Sequence, residues 1–304
     1  MKPKIITYAS FAALLLAAWY LVLKPYDYQI IINANTSKGT CFQSVLNWSE
    51  TLEKKRGISS FITNKEPFKT IDQSLELPNH DLELKWTIET KNDSAAVINL
   101  NIKNKTNAVI ERIKKVFGTS ELQKVINKEI TDFNTGLVKH LEEFKVHVDG
   151  VSRSPETYVA YVPIKANQKD KAGKMISNSA YINTFLIAHN IKLQSHPFLE
   201  VTTWNVNSTD LEFNFCFPII KTDSLPVHEE IKYKQIQGKS SVKVTFNGNY
   251  SISDRAWFGA HQYAEENDIK IKPALIEIFY NNPHLGEDEM SWKSEAFIEI
   301  DSRN

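Results

Sequence analysis

The sequence predicts an α+β protein with an N-terminal transmembrane helix and two domains. Three observations support this: an uncharged apolar run near the N-terminus, alternating strand patterns that end in a long amphipathic helix, and an order of elements that occurs twice in the second half. At 304 residues, the chain is long enough for two domains with separate cores. We predict a membrane anchor over residues 1–25, a first domain over 26–149 and a second domain over 150–304.

The uncharged run extends from Ile5 to Leu23. Its 19 residues are just enough to cross a hydrocarbon layer of about 30 Å as a helix. Trp19 and Tyr20 lie near one end, as interfacial aromatic residues do. A cleaved signal peptide is the alternative, but the apolar residues that continue after Ala17-Ala18 disfavour cleavage there. We therefore expect the membrane as a partner, through residues 5–23 of a single-pass protein.

Lysines around this run bear on its orientation. Lys2 and Lys4 favour a cytoplasmic N-terminus, which places both domains outside the cytoplasm. Lys24, Lys38 and the Lys54–Arg56 cluster argue against that orientation.

The first domain begins with a strand pattern at Tyr28–Ala34, followed by Ser37 as the cap of a short helix. Two later segments alternate apolar and polar residues, which is typical of half-buried antiparallel strands. Their apolar positions are Leu82, Leu84, Trp86 and Ile88, and then Ile98, Leu100 and Ile102. A long helix follows, with Ser120 and Gln123 as its capping box. Its apolar stripe consists of Leu122, Ile126, Ile130, Phe133, Leu137, Leu141 and Phe144.

This order of elements over residues 27–148 resembles the START-like, or polyketide-cyclase (SRPBCC), superfamily. The resemblance implies a helix-grip fold, in which a curved sheet wraps around the last helix and leaves an apolar cavity. Trp48 and Trp86 would line that cavity; alternatively, side chains fill it. A turn-rich linker is expected from Asp149-Gly150 to Ser154-Pro155.

The second domain contains an internal repeat, in which the order strand, helix, strand, strand occurs twice. The first copy contains Asn190–Leu193, Glu200–Trp204 and Phe215–Ile219, and the second contains Asp268–Ile271, Glu277–Tyr280 and Ala296–Ile300. One such unit cannot cover its own apolar face, but two packed together can. In each copy, the strand after the helix carries a glutamate, Glu200 or Glu277, beside aromatic residues. A carboxylate among aromatic rings is costly to bury without a cationic or hydrogen-bonding partner, so we expect the site at the seam between the copies.

The stretch from about Glu156 to Ile300 resembles the GyrI-like effector-binding domain of bacterial multidrug-sensing regulators. The matching segments are Phe246–Tyr250, Pro273–Tyr280, Asn282-Pro283 and Phe297–Ile300. Asn281 and Asn282 depart from the family, which usually has an acidic residue before the proline. The resemblance implies that Glu277 faces an aromatic groove and pairs with cationic or polar ligands. The predicted ligand-binding residues are Glu277, Tyr280, Tyr250, Trp257, Trp204, Phe215 and Glu200.

The function that follows is non-catalytic binding of an amphipathic or cationic small molecule by a protein of the bacterial inner membrane. A second hypothesis is a hydrolase of reactive small molecules with Glu277 as acid or base, since some GyrI-like proteins resemble such enzymes. A third is an interaction scaffold in the cell envelope.

Composition argues against several other classes. Lys+Arg and Asp+Glu both number 36, for a net charge of zero, and no long basic run indicates nucleic acid as a partner. The two cysteines, Cys41 and Cys216, are too few for a zinc site or a disulfide framework. His140 and His147 share a helix face but lack a third ligand. We therefore expect neither a metal nor a cofactor.

Overall fold

The computed structural model describes residues 2–92, 94–286 and 288–301. Within these residues the chain forms six α-helices and two antiparallel sheets, so the predicted α+β class is confirmed. It divides into two compact units, residues 1–91 with 95–138 and residues 92–94 with 139–304.

The elements of the first unit are α1 (Lys2–Ala18), a π-helical turn (Trp19–Leu23), β1 (Tyr28–Ala34), α2 (Lys38–Arg56), β2 (Ser59–Glu66), β3 (Thr70–Leu77), β4 (His80–Asn92), β5 (Ala95–Asn104), α3 (Ala108–Val116) and α4 (Glu121–Leu141). The last three residues of α4 and the last residue of β4, Asn92, belong to the second unit. The elements of the second unit are β6 (Phe144–Arg153), β7 (Thr157–Asn167), α5 (Lys171–Ala188), β8 (Phe198–Trp204), β9 (Asp210–Pro218), β10 (Lys232–Ile236), β11 (Ser240–Gly248), α6 (Arg255–Glu266), β12 (Ile271–Phe279) and β13 (Lys293–Ile300).

The apolar N-terminal segment is helical. Ile5–Leu23 is long and apolar enough to cross a membrane, and none of it is buried within the protein. A signal sequence has the same properties.

The first sheet has the order β1-β5-β4-β3-β2, and α4 packs on one of its faces. The Phe133 ring of α4 lies 5.6 Å from the Trp48 ring and 5.2 Å from the Trp86 ring, centroid to centroid. The remaining space beside Trp48 is about 10 Å³, so the aromatic side chains fill the interior between sheet and helix.

Helix boundaries in this unit follow local capping. The Ser37 hydroxyl accepts a hydrogen bond from the Thr40 amide, and Gly57 ends α2 at a positive φ of 63°. At 19 residues, α2 is longer than the predicted short helix. Ser120 likewise accepts from the Gln123 amide at the start of α4.

The end of α4 and the predicted linker differ from expectation. Phe144 is the first residue of β6 and not the last member of the helical stripe. The segment around Gly150 continues β6, which pairs with β11 and takes a register shift where Gly150 adopts a φ of 93°. Glycine is favoured at such an irregularity because it lacks a Cβ, and the same residue type suggested a turn from the sequence alone.

The second sheet has the order β10-β7-β9-β8-β12-β13-β11-β6. It contains β7-α5-β8-β9 followed by β11-α6-β12-β13, which is the predicted duplication, and β8 pairs with β12 at the seam. The copies agree in detail: Asn167 and Asn249 cap the short turns before the helices, and Asn190 and Asp268 follow them at φ values of 55° and 54°.

Candidate functional site

At the seam between β8 and β12, the two predicted glutamates lie on opposite faces of the sheet. Glu277 lies opposite Leu199, and Glu200 lies opposite Ile276, the next pair of the ladder. Paired residues share a face of a sheet and successive residues alternate. Glu277 therefore points to one face, where Trp257 of α6 and Lys171 of α5 meet it, and Glu200 points to the other.

Glu277 has no exposed surface, and its carboxylate has three polar partners within the protein. Its carboxylate lies 3.3 Å from the Lys171 ammonium and accepts from Ser294 Oγ at 3.0 Å and Trp257 Nε1 at 3.2 Å. Lys171, equally buried, also donates to Ser253 Oγ at 2.6 Å and lies 4.7 Å from the centre of the Trp257 ring. The carboxylate thus has an internal counter-ion.

This arrangement limits what Glu277 can do chemically. A ligand cation or a substrate reaches the carboxylate only if Lys171 and the helices above it are displaced. Breaking a buried ion pair leaves an uncompensated charge, which is costly. The roles of Glu277 as ligand partner or as acid and base stay predictions.

Four predicted aromatic residues share the helix-covered face, and all are buried. The Trp204 and Trp257 rings meet edge to face at 5.4 Å. Tyr250 contacts Phe279 at 4.8 Å between ring centres. Phe215 lies opposite Leu199, on the face of Glu277. All four rings therefore belong to the buried core of the second unit.

Tyr280 and Glu200 lie on the opposite face. Glu200 forms an ion pair with Lys234 and accepts from Asn214 Nδ2 at 2.6 Å. Tyr280 donates its hydroxyl to Glu295 Oε2 at 2.7 Å. Burial, together with this hydrogen bond to a carboxylate, raises the pKa of Tyr280 well above its usual value.

Glu295 was not predicted from the sequence, yet it organises this part of the face. It binds Lys243 at 3.0 Å and Lys293 at 2.8 Å in addition to Tyr280. Burial alone would raise the pKa of Glu295, but the hydrogen bonds from Lys293, Tyr280 and Lys243 outweigh it and lower the pKa to about 2. The carboxylate is therefore ionised at neutral pH.

An open groove of about 380 Å³ lies beside Glu200 on this face. Ile236, Ile276 and Phe297 form its apolar floor and belong to one hydrophobic cluster. Glu200, Glu299, Lys239 and Gln235 supply its polar lining. Glu299 accepts hydrogen bonds from Lys239 and Lys272. The groove combines an apolar surface with placed charges.

The sequence contained a signal for two of the groove residues, Phe297 and Glu299, in the alternation of side chains along a strand. Phe297 and Glu299 occupy alternate positions of a strand already recognised in the repeat, so a choice of face would have placed both. Lys171 carried none, since its partner is 106 residues away in the sequence.

Metal ligands do not cluster in the described residues, among which no three His, Cys, Asp or Glu side chains are placed to hold an ion. His140 contacts Glu143 through Nδ1 and accepts from Arg255 through Nε2.

No family model and no curated protein matches the sequence. Among solved structures, the C-terminal domain of EcmrR is similar at 15% identity, over 52% of this chain and 98% of that one, with a TM-score of 0.44. SAV2435 bound to tetraphenylphosphonium is similar at 6% identity, over 51% and 94%, with a TM-score of 0.38. The di-domain ARO/CYC protein BexL is similar at 9% identity over 90% and 85%, with a TM-score of 0.29. These likenesses concern the fold alone.

Proposed function

We propose that the protein is a membrane-anchored binder of an amphipathic small molecule with a cationic group. The binding site is the groove on the open face of the second sheet. The observation that carries this proposal is the joint presence of an apolar floor and two carboxylates, Glu200 and Glu299, in one groove of about 380 Å³.

The size and the lining of the groove suit such a ligand. Ligand pockets have volumes of about 300–1,000 Å³ and combine apolar walls with few polar groups. Phe297 and Ile276 would bury the apolar body, while Glu200 would meet the cationic group. The lysines that now pair with the carboxylates are partly exposed: the side-chain exposure is 29% for Lys234 and 55% for Lys239. Such exposed pairs are weak, so a ligand cation displaces them far more easily than it would displace Lys171 from Glu277.

Binding can be tested with tetraphenylphosphonium, a hydrophobic cation, on the full chain in lipid nanodiscs. Ala274 lines the groove, and Ala274→Trp would fill it. We expect saturable binding to the wild type, loss of that binding in Ala274→Trp and about tenfold weaker binding in Glu200→Gln, the scale of a charged hydrogen bond. Since the probe partitions equally into all discs, equal signals from the three proteins would contradict the proposal.

We further propose that α1 anchors the protein and that both units lie outside the cytoplasm, as Lys2 and Lys4 favour. Protease added to spheroplasts should then digest the units while the membrane stays intact. Digestion only after lysis would place them in the cytoplasm.

An interaction scaffold is the second candidate, favoured by one observation. On the helix-covered face, the internal pair with Lys171 already occupies the Glu277 carboxylate. A scaffold would bind neither tetraphenylphosphonium nor its neutral analogues, and Ala274→Trp would change nothing.

A further inference from the structure

We propose that helix α3, with Phe117 at its end, lies on the membrane surface as a second membrane contact of the first unit. This inference rests on the proposed membrane insertion of α1. In this proposal, the exposed apolar face of α3 contacts lipid at the boundary between headgroups and acyl chains.

The polarity of α3 is reversed relative to a helix on a soluble domain. Glu111 and Arg112 are its buried residues, with exposures of 6% and 5%. Its apolar residues are exposed, at 43% to 75%: Val109, Ile110, Ile113, Val116 and Phe117. They recur at steps of three and four and so form one stripe on the helix. A soluble domain normally buries such a stripe against its core.

Arg112 fixes α3 at the end of the apolar N-terminal helix. Its guanidinium donates to the carbonyl oxygens of Tyr20 at 3.2 Å, Leu21 at 2.9 Å and Lys24 at 2.9 Å. The last carbonyls of a helix lack partners within the helix, and a cation is favourable there. The guanidinium also pairs with the buried Asp27. Arg112 therefore ties α3 to the point at which the chain would leave the bilayer.

This position identifies the bilayer as the occupant of the apolar stripe. None of the residues of the span Ile5–Leu23 is buried in the protein, so in the proposed state most of its surroundings are lipid. The stripe of α3 is held beside the end of that span and continues its apolar surface at the interface. Lys114, whose ammonium pairs with Glu111 at 2.8 Å, keeps 48% of its side chain exposed, and the stem of a lysine is suited to such an interface.

Fluorescent labelling of single cysteines tests the proposal. The native Cys41 and Cys216 are buried, so an environment-sensitive dye would react with an introduced cysteine. The test position is Phe117→Cys, at a residue that is 75% exposed. Leu14→Cys, within α1, reports on insertion of the anchor. Lys69→Cys is the aqueous control.

The control position lies far from the proposed membrane contact. Lys69 is in the turn before β3, and β3 then runs eight residues to the hairpin with β4, about 25 Å at strand spacing. The chain that leads into α3 leaves the sheet at that hairpin end, where the Lys105 amide donates to the Asp81 carbonyl.

The three variants of the full chain are placed in nanodiscs containing nitroxide lipids. We expect lipid quenching at Leu14→Cys and Phe117→Cys but not at Lys69→Cys. At Phe117→Cys it should be strongest for nitroxides close to the headgroups, since interfacial helices lie about 5–10 Å into that boundary. Iodide in the water should quench Lys69→Cys most.

Three results would overturn the inference and can be told apart. Quenching at Leu14→Cys without quenching at Phe117→Cys rejects the membrane contact of α3. Protection of Phe117→Cys from both quenchers also rejects it and would show that protein, not lipid or water, covers the stripe. Absence of lipid quenching at Leu14→Cys as well rejects the anchor itself.

Discussion

The two ion pairs at the seam, Lys171–Glu277 and Lys234–Glu200, differ in how deeply they are buried. Glu277 and Lys171 are enclosed completely, whereas the side chains of Glu200 and Lys234 are 24% and 29% exposed. Because burial removes both charges of the first pair from water, each depends on the other. The second pair keeps part of its hydration.

This contrast predicts different costs for removing the two lysines. Lys171→Met should destabilise the second unit by about 3–5 kcal/mol, since Glu277 would be left buried without a counter-ion. The matched variant Lys234→Met should cost about 1 kcal/mol or less. Chemical denaturation of both proteins measures the difference. Equal costs would mean that the pair Lys171–Glu277 is not closed as described.

A second residue-scale prediction concerns acid stability. The pKa of Glu295 falls from 4.5 to about 2 in the folded protein. A lowered folded pKa means that the contribution to stability is complete above pH 4.5 and is lost as the pH falls toward 2. This shift corresponds to about 3 kcal/mol. Unfolding free energies measured across this range should fall more steeply for the wild type than for Glu295→Gln, and parallel curves would contradict the assignment.

The sequence predicted both seam glutamates but not the faces that they occupy. In a strand, a shift of one residue moves every side chain to the other face. In the sequence, Glu200 and Glu277 occupy corresponding positions of the two repeats. In the structure, the register of β8 with β12 places them in successive pairs of the ladder, and so on opposite faces. Only the pairing of the strands, which is a long-range property, resolves this.

Elements with a strong period were predicted best. The apolar positions of β4 and α4 are buried as expected, from Leu82 to Ile88 and from Leu122 to Leu137. β6 was missed where Gly150 suggested a turn. Periodicity reports which face of an element is covered, but a glycine in a bulge and a glycine in a turn have the same local signature.

The central position of Phe133 in α4 gives a prediction at the element scale. Phe133 is 2% exposed between Trp48 and Trp86. Phe133→Ala should therefore destabilise the first unit by about 3–5 kcal/mol through the cavity that it leaves. Val138→Ala, at a residue of the same helix that is 51% exposed, is the control and should cost little. Comparable losses would show that α4 does not pack through Phe133.

At the scale of the whole molecule, the chain consists of two compact units joined within α4. The units of the structure divide at 138/139, before β6, and the domain boundary at 149/150 stays a prediction from the sequence. Separate cores imply that a lesion in one unit leaves the other folded.

Hydrogen exchange of Phe133→Ala tests this independence. Amides of β3, β4 and β5 should lose protection, while those of β8, β12 and β13 should keep it. Loss of protection in both sets at the same denaturant concentration would indicate one cooperative unit.

The location of ligand contact tests the central claim most directly. A photoreactive phosphonium cation with aromatic groups is crosslinked to the full chain in nanodiscs, and its adducts are mapped by mass spectrometry. We predict adducts on the groove strands, at or beside Ile276, Phe297 and Gln235, and their loss in Ala274→Trp. Adducts on Trp204 or Trp257, or on the first unit alone, would contradict a binding site in the open groove.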